Sequence, residues 1–167
     1  NYLFGVNETV CEYVRLTQEL DARDTPVVLV LFGDHKPWMG NGGSVYEEMG
    51  IDFDTSTLAG FRNYYATPYL IWANRAAKEV LGADFTGDGG DFSPCFLMTR
   101  LFDACGWAGP GYMQLSRAMR DISPLLHTNG LFLHDGVLTS VLSDTDRSFY
   151  RSWLAVQYYR EHVAAYS

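Results

Sequence analysis

This sequence has little positive charge. Its 167 residues include only 12 Lys or Arg against 20 Asp or Glu, which gives a formal net charge of −8, and the only lysines are Lys36 and Lys78. Binding to nucleic acid or to an anionic membrane surface needs clustered basic side chains to offset phosphate repulsion. The arginines are scattered along the chain, so we expect no nucleic-acid partner.

Cysteine and long apolar runs are also scarce. Cys11, Cys95 and Cys105 form no CxxC pair, and an odd number of cysteines does not describe a disulfide framework. We interpret them as buried free thiols, with a Cys95–Cys105 pairing left open. No run approaches the roughly 18–20 apolar residues that span a bilayer, so the chain is predicted to be soluble.

The remaining composition is that of a globular protein. Apolar residues make up 47% and aromatic residues 15% of the chain, while charged residues make up only 19%. A chain of this length has the size of one domain and can bury a core without disulfide or metal cross-links. We therefore predict a single unit over residues 1–167.

The first half of the sequence predicts a helix followed by a buried strand. Apolar residues recur at helical spacing from Val6 to Ala22, with Asn7 as a candidate cap. The continuous apolar run Val27–Phe32 is typical of a strand buried on both faces, as in a parallel sheet covered by helices. This order predicts an α/β fold with a partial doubly wound sheet. A long loop follows to about Thr57, with one helical turn around Val45–Met49.

The second half predicts one more strand, two helices and a closing hairpin with a helix. The turn signals are Ser93 and Pro94 before a helix, the tripeptide HDG between two apolar runs, and Ser143 three residues before Asp146. The predicted elements are a strand over Tyr69–Ala73, helices from Pro94 to Gly106 and over Tyr112–Ile122, a hairpin around His134–Gly136 and a last helix after Ser143.

The candidate site is the sequence GDH at the end of the first strand. Chemistry in open α/β sheets collects at the carboxyl ends of strands, and Asp34 and His35 occupy that position. Adjacent residues point in different directions, which disfavours an acid–base pair, but both can reach one metal ion if the backbone turns at Gly33. A carboxylate with an imidazole suits manganese, zinc or magnesium. The alternative is that both residues only cap the following turn.

A resemblance to a known family starts from residues 2–40, which read YLFGVNETVCEYVRLTQELDARDTPVVLVLFGDHKPWMG. This segment resembles the carboxyl-terminal half of the sulfatase and alkaline-phosphatase superfamily, especially its lipoteichoic acid synthase-like members. Downstream, YYATPYLIWAN resembles the following strand of that family and FSPCFLMTRLFDACGW resembles its next helix. The resemblance covers most of the chain up to about Gly130.

The resemblance implies that Asp34 and His35 bind a catalytic divalent metal ion, with Mn²⁺ favoured and Mg²⁺, Ca²⁺ or Zn²⁺ as alternatives. In this family the Thr, Ser or Cys nucleophile lies far upstream of GDH, but only 33 residues precede Asp34. None of Thr9, Thr17 and Thr25 is predicted to replace it. We therefore expect a carboxyl-terminal fragment that carries no catalytic nucleophile and is inactive alone.

The resemblance also implies an enzyme that transfers or hydrolyses phosphate or sulfate esters, in a phosphoglycerol-type or related reaction. The histidine at position 35 favours phosphate over sulfate, because asparagine is common there in sulfatases. The parent protein is expected to be extracytoplasmic and membrane-anchored, with a lipid or glycan ester as substrate. Removal of the amino-terminal half would expose a sheet edge, so we expect the isolated chain to dimerise.

Each of the other candidate functional residues also has a purely structural interpretation. Lys36 is a weak substrate-binding candidate, because a solvated loop lysine is an equal alternative. The segment Gly40–Ser44 lacks a P-loop ending and is interpreted as a flexible loop. The remaining groups are interpreted as surface, turn or core residues: the acidic loop residues Asp84, Asp88 and Asp91, the histidines His127, His134 and His162, and the aromatic stripe of Tyr150, Trp153, Leu154 and Tyr158.

A second class of function stays open. In this alternative the chain is a noncatalytic module, Asp34 and His35 are turn residues, and the loop from Lys36 to Ser44 binds a glycan or a protein. The upstream sequence distinguishes the two hypotheses, since only the enzyme needs a nucleophile and a further metal-binding acid there.

Overall fold

The computed structural model describes residues 2–163, which form a mixed α/β fold with two small antiparallel sheets. Strand β1 (Val28–Phe32) pairs with β2 (Tyr69–Ala73), and β3 (Phe132–His134) pairs with β4 (Val137–Thr139). None of the described helices has both the length and the apolar character needed to cross a membrane. The helices are α1 (Tyr2–Asp21), α2 (Ser44–Glu48), α3 (Leu58–Tyr65), α4 (Arg75–Leu81), α5 (Leu97–Ala104), α6 (Gly111–Ile122) and α7 (Asp144–His162).

Strand β1 forms where the apolar run predicts it, but its surroundings differ from the prediction. It pairs antiparallel with β2, from Val28 opposite Ala73 to Phe32 opposite Tyr69. The side chain of Phe32 is 63% exposed, and the other β1 residues are only half-buried. The prediction of a strand buried on both faces is therefore wrong for the described residues, because this sheet has two strands and no residue of α1 is buried against it.

The buried amide of Asn74 joins helix α1, strand β1 and helix α4. Its Oδ1 accepts hydrogen bonds from the backbone N–H groups of Val27 and Ala77, both at 2.9 Å. Its Nδ2 donates to the carbonyls of Leu20 and Thr25, also at 2.9 Å. The side chain thus satisfies four backbone groups that no regular ladder pairs, in a site closed to water.

The hydrophobic core lies between the carboxyl-terminal helices. Phe96, Met119 and Trp153 form its buried centre, and the indole N–H of Trp153 donates to the Ser116 hydroxyl at 3.0 Å. Of the aromatic stripe predicted on the last helix, Trp153 and Tyr150 pack in this core, while Leu154 and Tyr158 are exposed.

The closing hairpin and the start of the last helix confirm the prediction. Asp135 and Gly136 have φ values of 50° and 77° between β3 and β4. Two successive positive φ values are typical of the type I′ turn, which Asp-Gly favours. The Ser143 hydroxyl caps α7 by accepting from the Asp146 N–H at 3.1 Å.

Several helix boundaries differ from the prediction. Helix α1 already begins at Tyr2, so Asn7 lies inside it rather than capping it. The short helices α3 and α4 were not predicted, although each has a clear cap: the Thr57 hydroxyl accepts from the Gly60 N–H, and Asn74 caps α4. The Ser93 side chain makes no cap bond and instead hydrogen-bonds the backbone of Leu126.

The cysteines confirm only part of the prediction. All three are free, and Cys105 is buried as expected. Cys11 and Cys95 lie at the surface, because Cys11 belongs to the exposed helix α1 and Cys95 to the 3₁₀ turn that precedes α5. The prediction of three buried thiols is therefore wrong for two of them.

A half-buried carboxylate ties helix α5 to helix α6. Asp103 accepts from Arg117 Nε and from Arg120 Nη2, both at 2.6 Å. Burial raises the pKa of this carboxyl, but the hydrogen bonds from Arg120 and Arg117 outweigh burial and hold the pKa below its ordinary value of 3.8.

We expect Asn74→Ala to lower the free energy of unfolding by about 3 kcal/mol, because four buried backbone groups lose their partner. Urea unfolding followed by circular dichroism measures the change. The matched control is Asn129→Ala in an exposed turn, which we expect to change stability by less than about 0.5 kcal/mol. Equal effects of the two substitutions would contradict the role assigned to Asn74.

We expect Asp103→Asn to destabilise the protein by about 1–3 kcal/mol near pH 6, because two arginines lose a charged acceptor. A carboxyl with a lowered folded-state pKa stabilises the fold above its unfolded-state pKa and loses that contribution as the pH falls through the folded-state value. The difference from the unsubstituted chain should therefore shrink below about pH 4. Urea unfolding at several pH values measures it, with the exposed Asp121→Asn as control, and a pH-independent difference would refute the assignment.

Candidate functional site

The turn at Gly33 delivers Asp34 and His35 to the end of the β1–β2 sheet. The Gly33 N–H donates to the Pro68 carbonyl at 3.0 Å, and the Thr67 hydroxyl donates to the Gly33 carbonyl at 2.7 Å. A Cβ at position 33 would lie 3.1 Å from the Thr67 Cβ, so glycine lets the two segments approach closely. The backbone before the site is therefore fixed by the residues that lead into β2.

The Asp34 and His35 side chains lie at the surface and approach each other. Their side chains are 81% and 78% exposed, and Asp34 Oδ2 lies 3.5 Å from His35 Nε2. The Nδ1 atom of His35 lies 3.0 Å from the Lys36 carbonyl oxygen. Because a carbonyl only accepts, this contact assigns the proton of the neutral ring to Nδ1 and leaves the Nε2 lone pair facing the carboxylate.

This pair of donors fits part of a divalent metal site. Carboxylate oxygen and imidazole nitrogen bind Zn²⁺ and Mn²⁺, and two such atoms about 2.1 Å from one ion at a tetrahedral angle are about 3.4 Å apart. The observed 3.5 Å separation matches that spacing. Two ligands do not complete a site, and within residues 2–163 no group of three or more His, Cys, Asp or Glu side chains converges.

Lys36 is anchored to helix α3. Its Nζ donates to the Asn63 carbonyl in the last turn of α3, and it lies 3.4 Å from the Arg62 carbonyl, which also accepts from the Ala66 N–H. Burial lowers the pKa of this lysine from its ordinary value. The geometry favours a structural role, and contact with an anionic substrate stays a prediction.

Aromatic residues surround this loop, which sequence reasoning missed. Trp38 is 66% exposed, and the Tyr46 hydroxyl donates to the Pro37 carbonyl at 2.7 Å. Tyr64 and Tyr65 on α3 lie edge to face with their ring centroids 4.7 Å apart, and both are partly exposed. The density of aromatic residues between positions 38 and 65 was the available signal.

The predicted flexible loop over Gly40–Ser44 is partly helical. Asn41–Gly43 forms a 3₁₀ turn, and α2 begins at Ser44. Three glycines within four positions allow this path, since Gly40, Gly42 and Gly43 all have positive φ. The helical turn predicted around Val45–Met49 is therefore confirmed by α2, whereas the interpretation of Gly40–Ser44 as an entirely irregular loop is wrong at Asn41–Gly43.

The two threonine hydroxyls of helix α1 are used within that helix. Thr9 Oγ1 donates to the Gly5 carbonyl and Thr17 Oγ1 to the Val14 carbonyl, each at 2.9 Å. Both side chains bond to the preceding turn, as serine and threonine often do in helix interiors. The structure thus offers no contact that would activate either hydroxyl as a nucleophile in the described residues.

The acidic loop residues each have a local partner. Asp84 accepts from the Thr86 N–H at 3.1 Å, and Asp88 accepts from the Gly90 N–H at 2.8 Å. The third member, Asp91, forms an ion pair with Arg62 at 2.7 Å. This arrangement is that of a turn-rich surface loop.

The three other histidines lie apart from Asp34. His127 packs against the Tyr65 ring, with their centroids 4.6 Å apart. His134 lies 3.7 Å from the Asp135 carboxylate in the hairpin, and His162 stacks on Tyr158. This hairpin pair, His134 and Asp135, has the same two side-chain types as Asp34 and His35. The type I′ turn already explains why Asp is followed by Gly at positions 135 and 136.

Comparisons with known proteins add no assignment. No protein-family model, curated protein or solved structure matches this chain. The resemblance to the sulfatase and alkaline-phosphatase superfamily therefore stays a prediction, and the candidate site is supported by its own geometry.

We expect Lys36→Met to lower the free energy of unfolding by about 1 kcal/mol, because the end of α3 loses a charged donor while the aliphatic stem is kept. Thermal and urea unfolding measure the change. Lys78→Met removes the only other lysine and should change stability by less than about 0.5 kcal/mol. A neutral effect of Lys36→Met would leave its ammonium free for another role.

Proposed function

We propose that this chain carries the Asp–His metal ligands of a sulfatase-like enzyme that transfers or hydrolyses phosphate or sulfate esters. The observation that carries the proposal is the convergence of Asp34 Oδ2 and His35 Nε2, 3.5 Å apart and open to solvent. Mn²⁺ is the favoured ion, with Mg²⁺, Ca²⁺ or Zn²⁺ as alternatives. Further ligands and the nucleophile come from sequence upstream of this chain.

The residues around the pair hold it in a form suited to metal binding. The contact with the Lys36 carbonyl orients the His35 ring, and the anchor of Lys36 on α3 fixes the loop. Such contacts behind a ligand orient it and raise its affinity. A bound divalent cation would lower the pKa of the nucleophile and neutralise charge on the ester oxygens.

The proposal includes the larger, doubly wound sheet that the resemblance implies. In it, β1 and β2 form one part of a doubly wound sheet whose other strands precede this chain. The exposed side chains of Phe32 on β1 and Leu70 on β2 support additional packing on this sheet. The enzyme would act outside the cytoplasm as a membrane-anchored protein, and the histidine beside Asp34 favours phosphate esters over sulfate esters.

A noncatalytic glycan-binding module is the second candidate, and the exposed aromatic rings favour it. Trp38, Tyr64 and Tyr65 present partly exposed rings near the Lys36 loop. Flat aromatic faces offer large apolar area at low cost in conformational entropy. In this reading Asp34 and His35 only shape the turn.

We expect Mn²⁺ to bind weakly to this chain at Asp34 and His35, because two ligands give an incomplete site. Selective broadening of the amide resonances of residues 33–36 during a Mn²⁺ titration by NMR measures it. Asp34→Asn and His35→Ala should each abolish the broadening. The hairpin pair supplies matched controls, Asp135→Asn and His134→Ala, and broadening that persists in the Asp34 and His35 variants would defeat the proposal.

Activity is tested in the longer protein that contains the upstream sequence. We expect metal-dependent release of p-nitrophenol from its phosphate ester, and loss of at least 100-fold in rate for Asp34→Asn or His35→Ala, about the loss seen when a charge-stabilising group is removed. Turnover of the sulfate ester instead would assign sulfuryl chemistry. Turnover of neither ester, together with unchanged metal binding in the variants, would favour the glycan-binding module.

A further inference from the structure

A cavity lies between the residue 89–92 segment and helices α5 and α6. It has a volume of about 300 Å³. That volume is at the lower end of the range of about 300–1,000 Å³ for small-molecule sites. Its lining combines two guanidinium groups with apolar walls: Gly89, Asp91, Phe92, Arg100, Arg120 and Pro124.

The guanidinium of Arg120 is incompletely paired. Its Nη2 donates to Asp103, which fixes the group in place. Its Nη1 is buried and has no hydrogen-bond partner among residues 2–163. Leaving a buried donor unpaired costs roughly 1–3 kcal/mol, and more when the donor is charged. Other atoms of Arg120 line the cavity, so an anion bound there would face a guanidinium whose one carboxylate partner, Asp103, is shared with Arg117.

Arg100 supplies a second cation at the same cavity. Its Nε donates to the Gly89 carbonyl at 3.2 Å, which directs the side chain across the 89–92 segment. Arg100 takes part in none of the ion pairs found among residues 2–163. The carboxylate that lines the same cavity, Asp91, is paired with Arg62 instead.

The charges around the cavity favour an anion. Asp103 is shared between Arg117 and Arg120, and Asp91 is paired with Arg62. The carboxylates at the cavity are thus each engaged by an arginine, while Arg100 keeps its full charge. This local positive excess occurs in a chain whose net charge is −8, and such a local field concentrates anionic ligands.

We propose that the cavity at Arg100 and Arg120 binds the tetrahedral oxoanion group, phosphate or sulfate, of a small ester. Planar guanidinium groups match such groups with paired, charge-assisted hydrogen bonds. Phe92 and Pro124 provide apolar contact for the organic part of the ester. The proposal is independent of metal binding at Asp34 and His35.

The cavity is connected to the loop that carries Asp34. Arg62 pairs with Asp91 at the cavity while its carbonyl faces the ammonium of Lys36. Tyr69, which lies opposite Phe32 in the sheet, packs against Phe92 with the rings tilted and their centroids 4.8 Å apart. The two sites thus share supporting residues at the same end of the β1–β2 sheet.

The test is a titration of the 167-residue chain with inorganic phosphate, sulfate and methyl phosphate at constant ionic strength, with chloride as reference. We expect saturable NMR shifts of the amides of residues 89–92 and of the Nε–H groups of Arg100 and Arg120. Arg100→Gln and Arg120→Gln should each weaken binding at least tenfold. The exposed Arg151→Gln on α7 should bind as the unsubstituted chain does.

Two features keep this test decisive. Arg100→Gln leaves the Asp103 network intact, so it reports on binding even if Arg120→Gln destabilises the fold. Asp34→Asn should bind phosphate unchanged without added metal, which separates this proposal from the proposed function. Binding of either oxoanion supports the cavity, and the stronger one identifies the ester. Absence of saturable shifts, or binding in both cavity variants as tight as in the unsubstituted chain, would overturn it.

Discussion

The amide of Asn74 is the constraint on which the amino-terminal half depends. One buried side chain satisfies the end of α1, the start of β1 and the first turn of α4. Only an amide can do so, because the site needs an acceptor for two N–H groups and donors for two carbonyls. Since Asn74 directly follows Ala73, the same contacts fix Val28 opposite Ala73 and hence the register of the whole β1–β2 sheet.

That register positions both candidate sites. It places Phe32 opposite Tyr69, so Gly33 meets Pro68 and Thr67 and the chain turns there into Asp34 and His35. On the same end of the sheet, Tyr69 packs against the segment that forms the arginine cavity. A donor pair suited to a cation and a cavity suited to an anion thus lie at one end of a single two-stranded sheet.

The sequence predicts what depends on local pattern and misses what depends on packing. The strands, the Asp-Gly turn and the Ser143 cap follow from apolar periodicity and turn chemistry. The prediction that Val27–Phe32 is buried on both faces is wrong, because an apolar run does not determine how many strands flank it in the sheet. The partner of Lys36 is a backbone carbonyl on α3, and backbone partners leave no pattern in the residues. Arg100 and Arg120 meet only because α5 packs on α6, with Asp103 shared between the two helices.

Two features of the described residues, an exposed apolar surface and an isolated Asp–His pair, would both be explained by the proposed upstream sequence. Helix α1 has no buried residue and its Leu3 side chain is 80% exposed, and the Phe32 and Leu70 side chains of the sheet are also exposed. Exposed apolar area of this kind costs about 25 cal/mol per Å² until it is covered. The Asp34–His35 pair similarly lacks the further ligands that a metal site requires. Additional strands from upstream sequence would cover the apolar surface and also bring ligands to the ends of the strands beside Asp34. A second copy of the chain would cover the apolar surface without completing the metal site. The dimer and the longer protein would therefore differ in metal affinity as well as in mass.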